Sequence, residues 1–178
     1  MRKCIFFDRD GIVNRRIVGD YVKNINEFEF IPEFFQIIKT ISPEYSKIII
    51  TNQQGVGKKL MTLQDLHSVH NYMQINLLRK TYTSFDDILF CADLKESNSP
   101  RRKPNPGMLL EAIEKWEIDI SNSYMIGDSK SDILAGERAG VKTIFISEEK
   151  FTNDDLKQMK LPNFHFKNHQ EFILNPPF

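Results

Sequence analysis

A chain of 178 residues is long enough to bury a core without metal or disulfide staples and short enough for one domain, so residues 1–178 are read as a single unit. Its 24 basic and 24 acidic residues cancel, leaving no broad field to draw it to nucleic acid or an anionic membrane. Two cysteines, Cys4 and Cys91, give no disulfide framework, and no apolar run suits a signal peptide or a spanning helix, so the expected setting is the reducing cytoplasm.

The first element is Cys4-Ile5-Phe6-Phe7, an apolar run with no polar face that reads as a buried parallel strand, with Gly11 marking the turn out. Residues 15–30 are too long for a bare strand-to-helix turn and carry Tyr21, Phe28 and Phe30, which predicts a lid-like excursion over the strand's end. Pro32 opens a helix over 32–41, and residues 47–50 form the second strand. A helix over 62–80 follows, capped by Thr62 with Asp65 and burying Leu63, Leu66, Met73 and Leu77. Next come a strand at 87–91, a polar loop over 92–102, a helix at 106–117, a strand at 124–126, a helix at 130–139 stopped by Gly140, and a strand at 143–146. The tail from 151 holds a short strand at 164–166 that completes one edge. This alternation predicts the α/β class, with a mainly parallel sheet, helices on both faces, and no insertion large enough for a cap domain.

Chemistry concentrates where strands stop. Asp8 and Asp10 stand one residue apart at a strand's carboxyl end, where two anions repel unless a cation or a shared proton relieves them; the alternative is an acidic turn with one solvated carboxylate. Thr51-Asn52-Gln53-Gln54-Gly55 follows the second strand as either a phosphate cradle or a plain polar connection. Lys103 precedes a helix whose dipole already makes that end positive, so it is either an exposed lysine or one that shares an anion with the helix. Asp128 repeats the strand-then-acid arrangement and can join Asp8 as a hard oxygen ligand, while Asp132 favours a helix's first turn or anchors Lys103.

Taken in order, Asp8-Arg9-Asp10-Gly11, Thr51-Asn52-Gln53, Arg102-Lys103-Pro104-Asn105-Pro106-Gly107 and Gly127-Asp128-Ser129-Lys130-Ser131-Asp132 resemble the four motifs of the haloacid dehalogenase superfamily. Within it, the chain resembles the capless branch that holds heptose-bisphosphate and histidinol-phosphate phosphatases. The resemblance implies a three-layer α/β/α Rossmann-like fold and Mg²⁺-dependent hydrolysis of a small phosphorylated metabolite. Asp8 would be the nucleophile, and Asp10 the acid and base, with its carboxyl kept free for proton transfer. Asp8, the Asp10 carbonyl and Asp128 would hold the metal. Thr51 and Lys103 would hold the phosphoryl oxygens, and Asn52, Gln53, Arg102 and Ser129 would face the substrate.

Two departures from that branch stand out. Its zinc loop carries Cys-x-His and Cys-x-Cys pairs, but here the positions read Cys91-Ala92-Asp93 and Ser99-Pro100-Arg101, so no structural zinc is expected. Ser129 stands where the bisphosphatase commonly has lysine. The expected substrate is heptose 1,7-bisphosphate, with histidinol phosphate or another sugar or nucleic-acid-end phosphate as alternatives within the enzyme class. A phospho-ligand sensor is the alternative outside it. No membrane or nucleic-acid partner is expected, and the chain is read as a monomer or weak dimer.

Overall fold

Neighbouring parallel strands need crossover connections, which the intervening helices supply, and all five strand pairings here are parallel. The computed structural model describes residues 1–178. In chain order the elements are β1 (Lys3–Phe7), α1 (Pro32–Thr40), β2 (Tyr45–Asn52), α2 (Gln54–Gly57), α3 (Leu63–Thr81), β3 (Asp87–Cys91), α4 (Gly107–Trp116), β4 (Tyr124–Gly127), α5 (Lys130–Ala139), β5 (Lys142–Ile146), α6 (Asn153–Leu156), β6 (Phe164–Phe166) and α7 (His169–Leu174). The sheet order is β3-β2-β1-β4-β5-β6. The chain therefore winds outward from β1 on one side and restarts at β4 on the other, which puts the topological switch point between those two strands.

Alternation along the strands assigns side chains to two cores. Ile5 and Phe7 of β1 join Phe34 and Ile37 of α1, Met73 and Leu77 of α3, and Phe172 of α7. Cys4 and Phe6 face the other way, onto Met108, Leu109 and Ala112 of α4 and Ala135 and Ala139 of α5. The result is the three-layer α/β/α arrangement expected from the sequence. No helix is long and apolar enough to cross a membrane.

The local signals act as their chemistry dictates. Pro32 occupies the first turn of α1. Thr62 and Asp65 form a reciprocal capping box on α3, with Asp65 N–H donating to Thr62 Oγ1 at 3.1 Å and Thr62 N–H donating to Asp65 Oδ2 at 2.8 Å. Gly140 ends α5 with a φ of +84°.

Three expectations change. Leu63 is nearly half exposed, and Val69 and His70 take buried places on α3 instead. Residues 15–30 are only partly a lid: Val22 and Phe28 enter the core, and the Phe28 ring lies edge-on to Phe30 at 5.0 Å and Tyr72 at 6.0 Å. The tail gains α6 and α7, which are too short to display a helical period; α7 buries only Phe172 and starts on Asn168, whose side chain accepts from Glu171 N–H.

Phe7 is fully buried and edge-on to Phe34 at 5.6 Å and Phe85 at 6.0 Å. Phe7→Ala is expected to cost about 3–5 kcal/mol in urea unfolding. Leu63→Ala should stay within about 0.5 kcal/mol of the parent.

Candidate active site

Asp8 follows β1 and Asp128 follows β4, so the two carboxylates flank the switch point. Gly11 makes this approach possible: its φ is +96°, and a Cβ placed on it would lie 1.9 Å from Asp128 Oδ2. The ends of β2 and the loop before α4 bring Asn52 and Lys103 to the same edge. Together with Asp8, Asp10, Arg16 and Ser129 they line a cavity of about 350 Å³.

Lys103 is the best-held residue of the group. Its ammonium is buried and contacts Asp8 Oδ1 at 2.8 Å, Asp132 Oδ1 at 2.6 Å and the Ile50 carbonyl at 2.6 Å. The Asp8 and Ile50 contacts are hydrogen bonds, and the Asp132 contact is a close ion pair. Burial disfavours its charge, but the Asp132 and Asp8 carboxylates outweigh burial and hold its pKa above the ordinary value. The anion this lysine requires is thus supplied by two side chains of the protein.

Its main chain is fixed as well. Asn52 Nδ2 donates to the Lys103 carbonyl at 3.0 Å, and Lys103 N–H donates to Asn52 Oδ1 at 3.1 Å. Asp132 turns its second oxygen to the start of α5, accepting from Ser129 N–H at 3.0 Å and Ser129 Oγ at 2.6 Å. Asn52 and Ser129, read from the sequence as substrate contacts, line the cavity but already spend these groups on Lys103 and on the helix cap. The neighbouring Lys130 does not replace the missing lysine, because it pairs with Glu149 and Asp155.

Asp10 lies in a separate network. Arg9, fully buried, donates from Nη2 to both Asp10 oxygens at 3.0 Å. Asn14 Nδ2 donates to Oδ1 at 2.9 Å and Gln53 Nε2 to Oδ2 at 2.8 Å. Burial alone would raise the Asp10 pKa, but the Arg9 charge and these hydrogen bonds prevail and hold it below the usual carboxylate range. The Asp10 carboxylate is thus engaged by Arg9, Asn14 and Gln53.

Gln53 belongs to the same network. It is buried away from the cavity, and its amide serves Asp10 and the Thr51 hydroxyl, the latter at 2.9 Å. Thr51 is itself buried at the end of β2.

Arg9, His70 and Arg16 were not singled out as functional in the sequence. Burial, and after it the Arg9 charge, pushes the His70 pKa down to about 3, so its neutral ring accepts from Arg9 Nη1 at 3.2 Å. A cation between two acids at the end of a buried strand was the available signal for Arg9. None marked Arg16.

The donor set fits a hard divalent cation. Carboxylate oxygens of Asp8, Asp128 and Asp132 lie within 4.8 Å of one another. Those of Asp132 are engaged by Lys103 and Ser129, which leaves Asp8, Asp128 and the Asp10 carbonyl, all oxygen ligands of the kind Mg²⁺ takes. A cationic group already spans two of them: Arg16 Nη2 lies 2.7 Å from Asp128 Oδ1 and 3.4 Å from the Asp10 carbonyl. Burial and neighbouring carboxylates push Asp8 up to about 6 and Asp128 up to about 8.

A second cavity of about 420 Å³ shares Asn52 and Lys103 with the first and adds Lys95 and Arg102. Arg102 donates to the Asp93 carbonyl at 3.2 Å. In the same loop, Cys91 Sγ lies 3.4 Å from Asp93 Oδ2 and 4.0 Å from Ser99 Oγ.

Carboxylates at the ends of adjacent central strands, a buried lysine paired with Asp8 and Asp132, and this sheet order define a phosphatase of the haloacid-dehalogenase type. A family model described as HAD-hydrolase-like matches residues 100–171. Across 79% of the chain and 80% of the relative, the sequence is 40% identical to the D-glycero-beta-D-manno-heptose-1,7-bisphosphate 7-phosphatase of Helicobacter pylori strain J99. It is 35% identical to the D-glycero-alpha-D-manno-heptose-1,7-bisphosphate 7-phosphatase of Campylobacter jejuni, over 89% of the chain and 90% of that protein. The crystal structure of the D,D-heptose 1,7-bisphosphate phosphatase of B. bronchiseptica, complexed with magnesium and phosphate, superposes with a TM-score of 0.83 at 25% identity, covering 97% of this chain and 96% of that one. The chain belongs to the heptose-1,7-bisphosphate 7-phosphatase family of haloacid-dehalogenase-like hydrolases.

The raised Asp8 and Asp128 values set the pH behaviour without metal. A folded-state pKa above the unfolded one contributes stability at acid pH that is lost as pH rises through about 6 and about 8. A divalent cation needs the deprotonated carboxylates. Saturating Mg²⁺ is therefore expected to raise the thermal midpoint more at about pH 8 than at about pH 5.5; an equal or reversed effect would count against this cation site.

Proposed function

We propose that this protein is a Mg²⁺-dependent phosphatase that removes the 7-phosphate of D-glycero-D-manno-heptose 1,7-bisphosphate through an aspartyl-phosphate intermediate. The observation that carries this reading is Asp8, held by Lys103 at 2.8 Å on the wall of the cavity in a chain of this family. Mg²⁺, bound by Asp8, Asp128 and the Asp10 carbonyl, supplies positive charge that offsets the repulsion between Asp8 and an anionic phosphoryl group.

Asp8 Oδ forms a bond to phosphorus as the bond from phosphorus to the sugar oxygen breaks, and that oxygen takes a proton from Asp10. Water then attacks the phosphorus of the aspartyl phosphate, passes its proton to Asp10, and frees Asp8. The Arg9, Asn14 and Gln53 contacts favour the ionised Asp10, which suits the second half of the cycle. Proton donation in the first half requires Asp10 to be protonated when substrate is in place.

Lys103 stabilises the transferring phosphoryl group by exchanging one of its present acceptors for a phosphoryl oxygen, with the Thr51 hydroxyl beside it. Asn52 and Gln53 act as positioning residues for Lys103 and Asp10. Arg102 and Lys95 supply the charge in the second cavity that suits the non-reacting phosphate. The loop at 92–102 is held without zinc, since Cys91 is its one soft ligand and hydrogen bonds such as Lys95 N–H to Gln54 Oε1 at 2.7 Å and Gly107 N–H to the Pro100 carbonyl at 2.9 Å pin its ends.

The deciding measurement is kcat/KM for both anomers of heptose 1,7-bisphosphate, for histidinol phosphate and for common sugar monophosphates. A preference of about 100-fold or more for one heptose bisphosphate anomer is expected, on the order of 3 kcal/mol of differential transition-state binding. Equal or greater activity on histidinol phosphate would overturn the substrate assignment. Asp8→Asn is expected to reduce phosphate release to background with an unchanged circular dichroism spectrum, and near-normal turnover would remove Asp8 as nucleophile. Elemental analysis should find less than about 0.1 zinc per chain, whereas one zinc per chain would show a site the ligand chemistry does not anticipate.

A further inference from the structure

Arg16 is the one cation of the cavity that hangs on an exposed loop. Lys103 is buried and Arg9 serves Asp10, but the Arg16 side chain is 47% exposed and reaches the site across residues distant in sequence. Its neighbour Arg15 turns outward to Glu29 at 2.7 Å, and Val18, two residues on, is almost fully exposed. Ile17, next in the chain, packs against the apolar core and Arg15 N–H donates to the Glu29 carbonyl at 2.8 Å, so the backbone is anchored on both sides of Arg16 while its own side chain stays half exposed.

Those contacts fall on the Asp128 carboxylate and the Asp10 carbonyl, two of the three groups left for a divalent cation. A guanidinium and a metal ion at these two groups compete, because like charges repel across so short a distance. In the metal-free protein, Arg16 neutralises part of a crowded anionic cluster. On metal binding it has to give up at least one contact. Both of its hydrogen bonds leave from Nη2, so the N–H groups of Nε and Nη1 have no acceptor among the protein side chains or backbone, and the residue lines the cavity that takes the substrate.

Resting on the reading of the site as a metal-dependent phosphatase, we propose that Arg16 is an internal counter-ion competing with the metal for Asp128 and the Asp10 carbonyl, and that metal binding turns its guanidinium over to the non-reacting phosphate of the substrate. The arrangement links two events. Metal entry raises the positive charge at the reacting end and at the same time releases a bidentate anion ligand at the cavity wall. A population of metal-free protein closed by Arg16 weakens the apparent metal affinity by the fraction of sites still competent.

Isothermal calorimetry of Mg²⁺ binding to the metal-free protein, with Arg16→Gln and Arg16→Lys, tests the competition without recourse to turnover. Arg16→Gln is expected to bind Mg²⁺ roughly three- to tenfold more tightly than the parent, with Arg16→Lys between them. At saturating Mg²⁺, the same Gln variant should raise KM for heptose 1,7-bisphosphate by roughly tenfold and lower kcat by less than about threefold. Unchanged Mg²⁺ affinity, or unchanged KM, overturns the proposal while leaving the phosphatase reading intact. Absence of Mg²⁺ binding by the parent protein overturns the metal-dependent reading beneath it.

Discussion

An ammonium buried between two carboxylates is the constraint on which the rest of the site depends. Removing Lys103 from water carries a large penalty, which is met only because Asp8, Asp132 and the Ile50 carbonyl converge on it. Those acceptors come from the end of β1, the first turn of α5 and β2. The lysine therefore fixes the relative placement of three elements that are remote in sequence, and Asn52 fixes the lysine's own backbone. With Asp128 included, three carboxylates face the Lys103 ammonium and the Arg16 guanidinium, and the negative excess suits a divalent ion. In its absence, burial moves the Asp8 and Asp128 pKa values upward.

The two aspartates that begin the site differ because each has its own cation. Asp8 sits with Lys103 among other acids and is pushed up, whereas Asp10 sits with Arg9, Asn14 and Gln53 and is held down. Environments that drive neighbouring carboxylates in opposite directions are how one short segment provides two chemical roles. His70 extends this separation into the core by accepting from Arg9 while itself remaining neutral.

Much of this was legible in the sequence, for identifiable reasons. Unbroken apolar runs revealed buried parallel strands, and Pro32, the Thr62–Asp65 box and Gly140 marked helix ends with chemistry that acts within a few residues. Asp8, Lys103 and Asp128 were found because acids and a lysine beside strand ends or helix starts are electrostatically unusual. What escaped depends on distance. That the Gln53 amide serves Asp10 and Thr51 depends on how the ends of β1 and β2 meet in three dimensions, and no spacing encodes it. Arg16 belongs to a loop without period, and its partner Asp128 lies 112 residues away. The helices α6 and α7 are shorter than the window in which a helical repeat becomes visible.

The sheet order has a consequence for how the protein acquires its chemistry during synthesis. β1 leaves the ribosome first, yet one of its two neighbours is β4, and the Asp132 partner of Lys103 is later still. Until β4 and α5 have emerged, the completed half consists of β3-β2-β1 with β1 as an unsatisfied edge that is apolar from Cys4 to Phe7. Non-local pairing of this kind is slow and exposes the nascent chain to association through that edge. An amino-terminal fragment that ends before β4 holds Lys103 with Asp8 and the Ile50 carbonyl but lacks its second carboxylate, Asp132. Closure of β4 onto β1 both removes the sticky edge and brings Asp128 beside Asp8, so the step that ends the chain's vulnerability to aggregation is the step that assembles its chemistry.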